Sequence, residues 1–240
     1  MKKKNYFLCI GVMMLLITAC NDLQKLASDT YNSVSKELNK PSSTEIASGL
    51  KEALQIGTQQ AVKQLNKVGA YRNNPAIKIA FPPQAAKVAD KLRSLGMTKL
   101  VNDFEKSMNT AAEKAAIYAK PIFVDAIKQM TINDAVNILN GNNRAATDYF
   151  QRKTNQRLHA AFKPHIQQSL NQVNATKYWN NITTTYNKLP MVKPVNTDLA
   201  AYVTQKAIDG LYVKIAEEEK KIRTQPAARV TDLLRKVFGS

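Results

Sequence analysis

Hydrophobic residues recur at spacings of three and four along nearly the whole chain, and this spacing constrains the fold more than any other feature. The longest series comprises Leu100, Phe104, Met108, Ala111, Ala115 and Tyr118. Such spacing places apolar side chains on one face of an α-helix. Only 8 glycines occur in 240 residues, so few positions disfavour helix. The pattern predicts an all-α, single-domain, multi-helix bundle.

Prolines and capping residues divide this pattern into separate helices. Pro121 is expected to kink or break the helix that precedes it, because proline cannot donate the helical hydrogen bond. For the same reason, Pro164 is expected to interrupt the next long helix. Thr131 and Asp134 have the spacing of a capping box, which predicts the start of a short helix that ends near Gly141.

One short segment, residues 76–81, departs from the helical spacing. Ile77, Ile79 and Phe81 alternate with a lysine and an alanine, which is a period of two and is typical of extended chain. Two prolines end the segment. Because one strand cannot form a sheet, we expect an extended segment that lies across helices, or half of a small hairpin.

The N-terminus has the pattern of a bacterial secretory signal. Lys2, Lys3 and Lys4 precede an uncharged, mostly apolar run that ends at Ala19. That run is shorter than the roughly 20 apolar residues that span a bilayer, so it predicts a signal peptide over residues 1–19.

The run closes with Ile17-Thr18-Ala19-Cys20, which resembles the lipobox of bacterial lipoproteins, where the cysteine is acylated and becomes the first residue. A plain signal peptide with an incidental cysteine, or a short anchor, is the alternative. Several acyl chains together anchor a protein stably. We therefore predict lipidation at Cys20, a tether or short helix over residues 20–42, and a helical domain over residues 43–240.

The predicted location is the cell envelope, with the protein lipid-anchored at the periplasmic face. The outer membrane is the expected one because Asn21, rather than an aspartate, follows the cysteine, by analogy with enterobacterial sorting. Cys9 would leave with the signal peptide. The mature chain would then lack a free thiol, which argues against cysteine catalysis, cysteine-based zinc sites and disulfides.

The net charge of +17 suggests anionic partners. In the envelope these are anionic lipids or glycans, beside a protein partner that the sequence does not identify. The basic residues are scattered and not interleaved with aromatic residues, so nucleic acid is not predicted. Solvated helix faces with a basic bias are the simpler interpretation of this charge.

Motifs that would indicate a reaction, a metal or a cofactor are missing from the sequence. His159 and His165 are six positions apart and therefore face different sides of a helix, and no His-Glu-x-x-His pattern occurs. G-x-S-x-G does not occur, and Ser-x-x-Lys occurs at residues 33–36 and 48–51 without the Ser-Asp-Asn and Lys-Thr-Gly motifs that accompany it in serine enzymes. We predict no metal site and no cofactor, and assign no catalytic residue.

A carboxylate interrupts the apolar seam of the last long helix, which comprises Ile208, Leu211, Ile215, Glu218 and Ile222. Burial of an unpaired charge is costly, so Glu218 needs a cation unless the seam ends before it. Lys128, Arg144 and Arg152 are the candidate cations.

Two further polar residues, Asn109 and Thr154, also lie within apolar stripes. Such residues usually satisfy backbone groups where helices cross. Sites in helical bundles are built between helices. The candidate polar pocket therefore consists of Asn109, Lys128, Arg152, Thr154 and Glu218.

Several stretches of the sequence resemble the domain of unknown function 4197 family, in the same order along the chain. They include "NPAIKIAFP", "MNTAAEKAAIYAKPIFVDAIKQMTINDAVNILNG" and "DLAAYVTQKAIDGLYVKIAEEEKKIRTQPAARVTDLLRKVFG". The resemblance runs from about Thr44 to Gly239. It implies a helical bacterial protein, usually secreted or lipidated, and supplies no catalytic or binding residue.

Three functions fit these features. The first is a non-catalytic envelope lipoprotein whose helical domain binds or scaffolds a partner. The alternatives are a carrier of a lipid-like ligand and a carboxylate-based hydrolase that uses Glu218 with Asp125. A sealed apolar tunnel in the structure would favour the carrier. A cleft with two facing carboxylates would favour the hydrolase, and a surface without a cleft would favour the scaffold.

Overall fold

The computed structural model describes residues 30–31, 41–188, 194 and 198–239. The predicted signal peptide and Cys20 lie outside these residues. The α-helices of the described part are α1 (Ser43–Leu65), α2 (Ala86–Ser94), α3 (Thr98–Ala115), α4 (Ala119–Lys128), α5 (Ile132–Leu139), α6 (Ala145–Gln172), α7 (Ala175–Asn187), α8 (Leu199–Thr224) and α9 (Asp232–Gly239). No strand occurs in these residues, and the all-α class is confirmed.

The core forms around α6 and α8, the two longest helices of the described residues, which pack extensively against each other. Helix α1 lies on α8, while α3 and α4 lie on α6. Each fully buried apolar side chain in this core contributes about 1.5–3 kcal/mol relative to exposure. Residues 43–239 thereby make up one compact unit.

The two prolines of the long helices have different effects. The prediction for Pro121 is confirmed, because α3 ends at Ala115 and a 3₁₀ turn over Ala116–Tyr118 precedes α4. The prediction for Pro164 was wrong, because α6 continues through it. Phe162 and Ile166 on either side are fully buried, and their packing outweighs a local cost of about 3 kcal/mol.

Capping residues begin two helices, and the first of these begins where the sequence predicts. The Thr131 hydroxyl accepts the Asp134 N–H, and the Asp134 carboxylate accepts the Thr131 N–H, which completes the capping box of α5. Asp198 begins α8, and its side chain accepts the Ala201 N–H at 2.8 Å.

The extended segment lies across α3. Ile77, Ile79 and Phe81 are buried, whereas Lys78 and Ala80 between them are exposed. The Ile79 N–H donates to Asn109 Oδ1 at 2.9 Å, and Asn109 Nδ2 donates to the Ile79 carbonyl at 2.8 Å. One side chain therefore satisfies both backbone groups of Ile79, as a neighbouring strand would.

Two glutamates lie on α3, one turn on either side of Asn109. Together with Asn109 they form a polar stripe along this helix. Glu105 pairs with Lys78 at 3.1 Å and with Arg93 of α2 at 3.3 Å. Glu113 accepts the Tyr71 N–H at 3.2 Å. The stripe therefore fixes residues 66–82, the connection between α1 and α2, against α3.

Tyr71 joins this connection to α8. Its hydroxyl donates to the Ala207 carbonyl at 2.7 Å. The ring lies so close to Gly210 that a Cβ there would be 2.6 Å from Tyr71 Cε1. Burial raises the pKa of Tyr71 well above its usual value, so the hydroxyl stays protonated and can donate.

Replacement of Asn109 tests this stripe. We expect Asn109→Leu to lower the free energy of unfolding by about 2–4 kcal/mol, because it leaves the buried N–H and carbonyl of Ile79 without partners. Asn102→Leu, at an exposed position of the same helix, is the control and should change it by less than about 0.5 kcal/mol. Urea denaturation measures both, and equal losses would contradict the role of Asn109.

Candidate functional site

The five residues of the predicted polar pocket do not form one site. Glu218 is buried, with 9% of its surface exposed, as its place in the seam predicts. Its carboxylate accepts from Lys221 of the same helix at 2.6 Å and from Gln64 of α1 at 3.0 Å. Lys128 and Arg152 are exposed. Within the described residues, no hydrogen bond or ion pair joins any two of the five.

The expected partners of Glu218 were therefore wrong. Lys221 lies one turn away on α8, so its ammonium group reaches the Glu218 carboxylate from the same helix. Arg144, the third candidate cation, is exposed and pairs with Asp148 at 3.8 Å.

Thr154 has a structural role between α6 and α8. Its hydroxyl donates to the Phe150 carbonyl at 2.7 Å and lies 2.9 Å from the Tyr212 hydroxyl. Since Thr154 has only one hydrogen to donate, Tyr212 donates the second bond. Burial raises the pKa of Tyr212 to about 12, which keeps that proton in place.

Glu219, which flanks the seam, binds the N-terminal end of α6. Its carboxylate accepts the Ala146 N–H at 3.0 Å, the Thr147 N–H at 2.9 Å and the Thr147 hydroxyl at 2.8 Å. A negative charge at this position also interacts favourably with the helix dipole. Arg223, one turn later on α8, pairs with Glu219 at 3.0 Å.

Arg223 binds the C-terminal end of α5 in the same way. Its guanidinium donates to the Leu139 carbonyl at 3.1 Å and to the Ile138 carbonyl at 2.7 Å. The Glu219–Arg223 pair therefore connects the end of one helix to the start of the next. The sequence showed the two charges but not the helix ends that they bind.

The carboxylates proposed for hydrolysis are engaged separately. Asp125 of α4 pairs with Arg157 of α6 at 2.8 Å, on the exposed side of both helices. Glu218 pairs with Lys221 and Gln64 instead. Nor do three or more metal-ligating side chains come together anywhere in the described part of the chain.

The structure contains an apolar cleft that the sequence did not predict. It lies between α3 and α7, with α2 and the end of α6 at its sides, and its volume is about 660 Å³. It is half enclosed. The apolar residues at its rim include Leu100, Val173 and Tyr178, which are 47%, 54% and 56% exposed.

The rings of Phe81 and Phe104 line the floor of this cleft, and the buried ring of Trp179 packs against both. The ring centroids of Phe81 and Phe104 are 5.1 Å apart, and Trp179, the single tryptophan of the chain, lies 5.7 and 6.0 Å from them. Trp179 is only 1% exposed. Phe81 ends the extended segment that Asn109 fixes, so the polar stripe on one side of α3 positions the floor of the cleft on the other.

The charged residues that line the cleft are Asp103, Lys106 and Lys114, all on α3. The hydrogen bond from Lys99, at 2.6 Å, holds the pKa of Asp103 below its usual value. Lys106 and Lys114 are exposed, and neither forms an ion pair with a described residue. Among the described residues of the lining there are therefore two lysines and one carboxylate, so the rim is net positive.

The cleft matches none of the three expectations, because it is not the sealed tunnel of a carrier, its described lining holds no pair of facing carboxylates, and a scaffold was expected to have no cleft. Leu100 is the residue whose place in the sequence could have indicated this cleft. This residue continues the apolar stripe of α3 yet is half exposed, because that stripe covers the core at one end and the cleft at the other.

Comparison with known protein families gives one match. The family described as "Protein of unknown function (DUF4197)" matches residues 40–239. No curated protein and no solved structure matches the chain significantly. Among the residues described here, no helix is long and apolar enough to cross a membrane.

Loss of the Glu219 charge tests the connection between α5 and α6. We expect Glu219→Gln to lower the free energy of unfolding by about 3–5 kcal/mol, because Arg223 is then left buried without its partner. Amide hydrogen exchange at Ala146 and Thr147 should also accelerate.

The control is Glu217→Gln, which removes the half-exposed Lys214–Glu217 pair and should cost about 1 kcal/mol or less. If exchange at the start of α6 is the same in both variants, Glu219 does not fix that helix end.

Proposed function

The chain belongs to the DUF4197 family, and we propose that this member is a non-catalytic, lipid-anchored binding protein of the bacterial cell envelope. Its helical domain binds an apolar ligand in the cleft between α3 and α7. The lipid on Cys20 tethers that domain to a membrane at the periplasmic face.

The apolar cleft is the observation that carries this proposal. Its volume of about 660 Å³ lies within the roughly 300–1,000 Å³ that is usual for small-molecule sites. Exposed apolar side chains that gather around a concave surface typically mark a binding site. Phe81 and Phe104 form the floor, and their tilted rings pack against each other and against Trp179.

The buried carboxylates support binding rather than acid–base chemistry. Glu113 and Glu219 accept backbone N–H groups, and Glu105 pairs with two cations. Each of these three glutamates is therefore engaged in bonds that stabilise the fold. None of the three lines the cleft.

The proposed tether rests on the sequence. Cys20 ends a lipobox-like stretch, and α1 begins at Ser43. The chain from Cys20 to Ser43 spans at most roughly 80 Å when fully extended. A lipid on Cys20 would therefore hold the start of α1 within that distance of the membrane and of the apolar molecules that the membrane contains.

Replacement of Cys20 tests the anchor. In cells, we expect Cys20→Ala to move the protein from the membrane fraction to the soluble fraction or to leave it as an uncleaved precursor, because the acylated thiol is gone. Mass spectrometry of the N-terminal peptide should show acyl chains on Cys20 of the unmodified sequence. Cys9→Ala is the control and should behave like the parent. An unacylated Cys20 in the parent would exclude the anchor.

Dye binding tests the cleft. The chain from residue 20 onward, with Cys20→Ala, should bind the neutral dye N-phenylnaphthylamine with micromolar affinity, and Trp179 should transfer energy to it. Ser107→Phe fills the cleft and should weaken binding at least tenfold, since Ser107 lines the cleft and its hydroxyl bonds only the Phe104 carbonyl.

The matched control for the dye experiment is Gln156→Phe, at an exposed position of α6 away from the cleft. It should leave the affinity unchanged. Absence of dye binding to the parent chain, or equal binding by both variants, would rule out the cleft as the binding site.

A further inference from the structure

We infer that the ligand of this cleft is a single-chain amphiphile with an anionic head group. The alkyl chain lies on the floor formed by Phe81 and Phe104, and the head group lies at the ammonium groups of Lys106 and Lys114. This inference rests on the proposed binding function and adds the charge and shape of the ligand.

Charge at the rim selects an anionic head group. Lys106 and Lys114 are two turns apart on α3, about 12 Å along its axis, and both are exposed. Neither has an ion-pair partner among the described residues. Asp103, the one carboxylate in the lining, already accepts from Lys99 at 2.6 Å. An anion at this rim therefore finds two available cations, while its repulsion by Asp103 is partly offset.

The interior of the cleft selects an alkyl chain. Leu92, Leu100 and Phe104 supply apolar walls, and the aliphatic stems of the rim lysines extend that surface while their charges stay in water. The Ser107 hydroxyl donates to the Phe104 carbonyl at 2.7 Å, so it is not free to donate to a ligand. Polar side chains, those of Thr110, Ser169, Gln172 and Asn181, also line the cleft, so the alkyl chain is assigned to the apolar part of the lining.

The size of the cleft favours an amphiphile over a protein partner. A partner helix places apolar side chains along a groove several turns long. An interface between two copies of the chain needs about 800 Å² from each. A half-enclosed cleft of about 660 Å³ instead suits one small molecule, and a membrane near the tether supplies amphiphiles. The shared head-group chemistry is an anionic oxygen group, found as the carboxylate of a fatty acid or the phosphate of a lysophospholipid.

Displacement of N-phenylnaphthylamine from the Cys20→Ala chain tests the inference. The competitors are dodecanoate, dodecyl phosphate, neutral dodecanol and cationic dodecyltrimethylammonium, all below their aggregation concentrations. We expect the better of the two anions to bind about three- to tenfold more tightly than dodecanol at low salt, and the cation to bind most weakly. The advantage should shrink at high salt, because the ammonium groups are exposed. The ranking of carboxylate and phosphate identifies the source of the head group.

The variant Lys106→Gln/Lys114→Gln should lose the preference for anions, so that dodecanoate and dodecyl phosphate displace the dye no better than dodecanol does. Lys120→Gln/Lys128→Gln is the matched control, since these lysines have the same spacing on α4, are exposed and do not line the cleft. It should keep the preference.

Other results identify other occupants. Dye binding without any preference for anions overturns the anionic ligand and leaves the binding function intact, whereas absence of dye binding overturns that function itself. Displacement only by an acidic amphipathic peptide, or a dimer that excludes the dye and is lost in Ser107→Phe, overturns the amphiphile in favour of a partner helix or a second copy.

Discussion

The two hydrogen bonds between Asn109 and the backbone of Ile79 are the constraint on which the site depends. They bind a non-helical segment to α3 where no strand is available as a partner. Because Ile79 is fixed, the alternation of the segment turns Phe81 inward, where it packs on Phe104 and Trp179. The cleft has an aromatic floor as a consequence. The buried Asn109 amide thereby determines the position of the apolar floor of the cleft.

The buried charges follow the same principle, since each binds a part of the chain that helix packing alone leaves free. Glu219 and Arg223 bind the start of α6 and the end of α5. Glu105 and Glu113 bind the connection between α1 and α2. Such groups are costly to bury without partners, and here they have partners. These groups stabilise the fold, whereas Lys106 and Lys114 at the cleft have no ion-pair partner among the described residues.

The sequence predicts the local features well and the contacts between helices poorly. Helical spacing, the Thr131 capping box and the burial of Ile77, Ile79 and Phe81 depend on neighbours along the chain. The continuation of α6 through Pro164, the pairing of Glu218 with Lys221 and Gln64, and the cleft depend on how separate helices meet. Asn109 lies between these cases, because its polar place in an apolar stripe was visible but its partner, 30 residues away, was not.

The most direct test of the account is an amide NMR titration of the Cys20→Ala chain with dodecyl phosphate. The account predicts chemical-shift changes at the residues that surround the cleft, Phe104 and Ser107 on α3 and Ala175 and Tyr178 on α7, with a response of the Trp179 indole N–H. Signals at the junction of α5 and α6 should stay unchanged. Shift changes centred on that junction, or spread evenly over the exposed lysines, would contradict the claim that the cleft is the functional site.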